Sequence, residues 1–188
     1  SVLYGQSPAG GLLNQVGKRP TATPRNEVGV EFGTNDHVRG TADFSGPIDA
    51  EGKFLYRFSA VGLSEDGQFR TTENERVALA PSFTWRPDAD TSFTILSEYQ
   101  SSRTAASIGN FRTPEGQLTN VYSNDPAFSA MDQKQYRIGY AFEHSVDDVW
   151  TVRQNFRFYQ VDTDARYTQV DSIDSSTNLA SQIGRAHV

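Results

Sequence analysis

The sequence has 188 residues, no cysteine, three histidines and a formal net charge of -6. That acidic balance removes the basic footprint nucleic-acid binding needs, and the missing cysteines remove disulfide frameworks and thiolate metal sites. A mean hydropathy of -0.57, with no apolar run near the ~20 residues of a helical span, excludes a helical membrane protein but not a barrel, whose strand faces alternate.

The chain opens on a glycine-rich stretch that closes with Lys18-Arg19-Pro20-Thr21. Ser1-Val2-Leu3-Tyr4 has neither the charged start nor the apolar run of a signal peptide, so for an exported protein the expectation is a leader outside this sequence. Period-two alternation then begins. Val28, Val30 and Phe32 alternate with Glu27, Gly29 and Glu31. After the short link Thr34-Asn35-Asp36, Val38, Gly40, Ala42 and Phe44 alternate with Arg39, Thr41, Asp43 and Ser45. Phe54, Tyr56, Phe58 and Ala60 oppose Leu55, Arg57 and Ser59, and Val77, Leu79, Phe83 and Trp85 oppose Arg76, Ala78, Ser82 and Thr84. Phe93, Ile95 and Tyr99 oppose Thr94, Glu98 and Gln100. Beyond a long stretch from Ser102 to Lys134, Tyr136, Ile138, Tyr140 and Phe142 oppose Arg137, Gly139 and Glu143. Trp150, Val152, Phe156 and Phe158 oppose Thr151, Arg153, Asn155 and Arg157.

Soluble sandwiches also alternate, so the polar face carries the distinction. It holds arginines and carboxylates at mid-strand, while Trp and Tyr sit where the apolar face meets turns, as interfacial girdles do. Twelve Phe and eight Tyr against one Met fit strands better than helices. Segments of roughly 9 to 12 residues suit a tilted membrane strand better than the ~5 to 6 of soluble sheets. The links around Pro47–Gly52, Arg86–Asp90 and His144–Asp148 read as tight turns, whereas Ser64–Thr72 and Ser102–Lys134 read as loops. Short turns on one side and long loops on the other predict an all-β, antiparallel, up-and-down transmembrane β-barrel, with helix only possible in the long loop. Seven or so strands leave open edges in lipid, so the segment reads as part of a larger barrel. Alone in water, its apolar face and open edges predict aggregation.

The opening Ser1-Val2-Leu3-Tyr4-Gly5-Gln6-Ser7-Pro8-Ala9-Gly10-Gly11-Leu12-Leu13-Asn14 and its exit Lys18-Arg19-Pro20 resemble the end of the plug domain in TonB-dependent siderophore receptors. Tyr4, Gly5, Gly10, Gly11 and Asn14 match the family's pattern in order, as does the basic-Pro exit. Ser7-Pro8-Ala9-Gly10 and Gly17 depart from its commoner form without disturbing the turn chemistry. Asp43-Phe44-Ser45-Gly46-Pro47-Ile48 looks like that family's second strand and first periplasmic turn. A phosphate loop is the rival reading, but no Lys-Ser/Thr follows the glycines. The resemblance implies a plug end at residues 1–22 and barrel at 23–182. Residues 183–188 read as a non-native tail, the translation of a sequencing-library adapter, against the bland alternative of an ordinary polar terminus.

By that resemblance the protein sits in the outer membrane of a Gram-negative bacterium as a monomeric barrel and imports a ferric siderophore. Energy comes from the TonB complex through an N-terminal segment absent here. Iron arrives already chelated, so no cofactor or metal ligand is expected of the chain. His37, His144 and His187 lie far apart without HExxH spacing, and Asp147-Asp148 and Asp162/Asp164 read as solvated turn and rim residues. No nucleophile elbow or triad is present, so no catalytic residue is expected. In the long loop Phe111, Arg112, Tyr122 and Phe128 suit an anionic, aromatic chelate; packing within the loop is the competing reading. A passive porin shares the strands but not the plug end, and a secreted β-sandwich module would bury the aromatic face under a second sheet.

Overall fold

The computed structural model describes residues 16–67, 72–106, 110–113, 115–122, 124–174 and 179–187. The strands are β1 (Arg25–Phe32), β2 (Val38–Pro47), β3 (Phe54–Asp66), β4 (Glu73–Trp85), β5 (Thr91–Thr104), β6 (Asn110–Arg112), β7 (Leu118–Tyr122), β8 (Ala130–Ser145), β9 (Thr151–Asp174) and β10 (Leu179–His187). There is no helix among the described residues. Eight strands form one antiparallel meander in the order β1-β2-β3-β4-β5-β8-β9-β10, and β6-β7 is a separate hairpin inside the long loop. Every expected strand is present. The structure adds the loop hairpin and β10, which continues through residue 183 against β9 with a bulge between Ser181 and Gln182.

Side-chain hydrogen bonds to the backbone make the turns. Asp49 accepts from the amides of Lys53 (3.1 Å) and Phe54 (2.7 Å), with Gly52 between them at φ 68°, a backbone angle that favours glycine. Asp147 accepts likewise from Val149 (2.9 Å) and Trp150 (2.7 Å). At the opposite end Asn35 and Asp36 both take positive φ, which lets a link of three residues reverse the chain between Gly33 and His37.

Register puts the two predicted faces on opposite sides. Tyr56 pairs with Phe83, Phe83 with Ile95, Ile95 with Tyr140 and Tyr140 with Phe156, an unbroken apolar row across five strands. Aromatic contacts lie along this face, among them Phe54–Phe83 at 5.9 Å, Tyr99–Tyr136 at 5.2 Å and Tyr140–Phe156 at 5.8 Å. The opposite face carries Arg57 beside Ser82, Glu98 beside Arg137 and Glu143 beside Arg153.

Burial is inverted relative to a soluble fold. Phe156 and Phe158 are 54% and 52% exposed, while Asp43, Arg57 and Ser45 are buried. Leu55 is the one large apolar side chain fully enclosed among the described residues. Hydrocarbon in place of water removes the cost of this arrangement. Glycine permits one close approach: a Cβ on Gly139 would sit 2.4 Å from the Phe156 carbonyl oxygen.

The apolar band ends where the sheet leaves lipid. β9 runs for 24 residues, well beyond the ~10 a tilted strand needs to cross. On the apolar side its upper part carries Gln160, Asp162, Asp164 and Arg166 in place of Phe156 and Phe158. There Asp132 of β8 bridges Arg103 (3.7 Å) and Arg166 (3.3 Å) above the Tyr99–Tyr136 pair, as charges do in water beyond an aromatic girdle.

Candidate functional site at the polar wall

Residues 16–24 precede β1 and run along the polar face of β2 and β3. Alternation places Asp43, Ser45, Arg57 and Ser59 on that face, and the turn at 48–53 sets the register that brings them together: Asp43 pairs with Ser59, and Ser45 with Arg57. The Arg57 guanidinium forks onto Asp43, Nε to Oδ1 at 2.8 Å and Nη2 to Oδ2 at 2.6 Å. Its remaining nitrogen, Nη1, donates to the Arg19 carbonyl at 2.9 Å. Asp43 also accepts from Ser59 Oγ (3.0 Å) and Lys18 Nζ (2.9 Å). Lower down, the Thr21 amide and hydroxyl both donate to Ser45 Oγ at 2.9 Å, and Ser45 donates to the Tyr56 carbonyl at 3.0 Å. Each charge is met by an opposite charge and by hydrogen bonds, which polar burial requires.

Beside this node lies a cavity of about 460 Å³, lined by Val16–Arg19 on one side and by Ser59, Glu98, Arg137, Asn155 and Arg157 on the other. Its walls come from strands as far apart as β3 and β9, so the sheet curves around the segment and the polar face is the concave one. Glu98 pairs with Arg137, while Lys18, Arg19 and Arg157 add cationic character. A second cavity of about 490 Å³ continues past Lys18 to Arg39, Thr41 and Gln100. No cluster of three or more metal-ligating side chains occurs among the described residues. The arrangement suits holding a polar chain segment, or passing a polar solute, inside a curved wall.

No family model matches the chain. It is 38% identical over 166 residues to the ferrichrome outer membrane transporter/phage receptor of Escherichia coli K12, covering 84% of this chain and 22% of that protein. It is 29% identical over 167 residues to the ferrioxamine B receptor of Salmonella typhimurium, covering 84% of this chain and 24% of the receptor. The ferric-catecholate import receptor Fiu of E. coli K12 superposes with a TM-score of 0.78 at 18% identity, over 97% of this chain and 29% of Fiu. Over 84% of its length the chain matches TonB-dependent siderophore receptors. It spans about a fifth to a quarter of the length of the curated relatives it matches. Each of these relatives is a receptor or a transporter, and the strands described above are those of a Gram-negative outer-membrane barrel.

In this receptor segment the plug-end motif residues Tyr4, Gly5, Gly10, Gly11 and Asn14 lie outside the described residues. Phe111 and Arg112 fall on β6 and Tyr122 on β7, at the end of the sheet opposite the short turns. The Arg112 guanidinium turns back to the Gly116 carbonyl at 3.4 Å, a contact within the loop. Phe128 follows a turn built on Asp125 and faces β10, where a Cβ on Gly184 would meet its ring at 3.3 Å. Alternation showed Asp43 and Arg57 on the polar face without revealing them as one node with Ser45 and Thr21. Opposite charges at mid-strand on the polar faces of neighbouring strands were the available signal.

Proposed function

We propose that the complete receptor imports a ferric siderophore across the outer membrane, with energy supplied through TonB. The observation that carries this reading is the occupied concave face: the chain's own segment, leaving the plug-end motif, is bonded across the polar wall at Lys18, Arg19 and Thr21. An open pore has no use for such an obstruction, whereas energy-coupled import needs a lumen that is closed at rest. The relatives named handle ferrichrome and ferrioxamine B, which supports an iron chelate as the cargo class. Phe111, Arg112, Tyr122 and Phe128 remain the proposed ligand contacts, on the loop side where a chelate would arrive. Iron stays inside its chelate, so the receptor needs no cofactor of its own and no catalytic group.

Expression of the complete gene in an outer-membrane receptor-deficient strain tests the reading. Uptake of a radiolabelled ferric siderophore that disappears when TonB is deleted is the expected result. Free passage of small sugars in a liposome-swelling assay, with no chelate binding, would establish the passive porin instead.

A further inference from the structure

The contacts of residues 16–24 are graded along the chain. Val16 is exposed, and Gly17 leaves ordinary van der Waals space to Leu96. From Lys18 onward the segment is fastened at separate points: Arg57 on the Arg19 carbonyl, Ser45 on both Thr21 donors, and Pro24 against Gly46, where a Cβ would meet the Pro24 Cα at 3.3 Å. The fastening groups Asp43, Ser45 and Arg57 are buried, so water competes poorly for their bonds. Lys18 is the weak member, with its side chain 61% exposed. Pro20 and Pro24 stiffen the backbone between the points.

We infer that Asp43, Arg57 and Ser45 clamp residues 18–24 into the wall as the stationary end of the plug, so that rearrangement of the plug during uptake stops at Lys18. These three act as positioning residues, holding Arg19 and Thr21 and touching no cargo. The inference deepens the import reading and rests on it for its uptake arm alone.

Hydrogen exchange of the complete receptor in nanodiscs tests the clamp without transport. In the unaltered protein the Thr21 amide, bonded to Ser45 Oγ, exchanges as slowly as those of β2 and β3. In Asp43→Asn, and in the milder Ser45→Ala, it exchanges about tenfold faster or more while β2 and β3 keep their protection. An unprotected Thr21 amide in the unaltered receptor overturns the clamp. So does unchanged exchange in Ser45→Ala, or a loss that spreads through both strands. The uptake arm uses Thr21→Cys/Ser45→Cys, placed where the two hydroxyl oxygens stand 2.9 Å apart. A stationary clamp predicts equal uptake by the oxidised and reduced forms. Uptake blocked by oxidation and restored by reduction makes this a moving part and overturns the inference. An unaltered receptor without uptake sinks the import reading, and the exchange arm still decides the clamp.

Discussion

Asp43 and Arg57 illustrate why a buried charge is informative only with its partners. Either one alone would be a desolvated ion, so Arg57→Ala should destabilise the complete receptor by about 3 to 5 kcal/mol in denaturant unfolding from detergent. The Arg153–Glu143 pair is also short, at 2.6 Å, but both side chains are about half exposed or more. Arg153→Ala should therefore cost far less, because solvent screens an exposed pair. Equal losses at the two sites would mean that the concave face is fully wet. Period two placed Asp43 and Arg57 on one face, but their meeting depends on a register set by the turn at 48–53. In that turn, the Phe54 amide first, then that of Lys53, holds the Asp49 carboxyl below its ordinary value. The Thr91 hydroxyl, followed by backbone amides, does the same to Asp88. Folded values below the unfolded ~3.9 place this stabilisation above about pH 4, to be lost as pH falls through the folded values. Protection of the Phe54 amide, corrected for intrinsic exchange, should fall below about pH 4. Undiminished protection there contradicts the Asp49 turn.

Strands that cross lipid were legible because hydrocarbon enforces an apolar residue at every second position. The upper half of β9 was not: Gln160, Asp162 and Asp164 continue the apolar row into water, so the period vanishes while pairing to β8 persists through Arg166. β10 lacks a sustained apolar row, and the short β6 and β7 have too few residues to show a period. Position along one strand therefore decides what a charge costs. Phe156→Arg should destabilise the receptor by about 2 to 4 kcal/mol in lipid, and Gln160→Arg by ~0 to 1 kcal/mol. Matching losses at both positions, read from unfolding in liposomes, would remove the boundary drawn at the Tyr99–Tyr136 pair.

At the scale of the whole sheet, β1 pairs only with β2 and β10 only with β9 among the described residues, which leaves two open edges beneath an apolar outer face. The 188-residue chain alone should aggregate in detergent-free buffer; a monodisperse species with a cooperative melt would contradict this. Of the candidate site, the basic-Pro exit was legible as a motif. Its fastening was not, because Ser45 and Thr21 are ordinary residues until the sheet curves around them. The central claim is that the apolar face meets lipid and the polar face lines the lumen. Nitroxide labels placed singly from Val152 to Tyr159 in the reconstituted complete receptor test it by oxygen accessibility. Maxima at Val152, Phe156 and Phe158, with minima at Arg153 and Arg157, are the predicted result; the reverse alternation, or none, would contradict it.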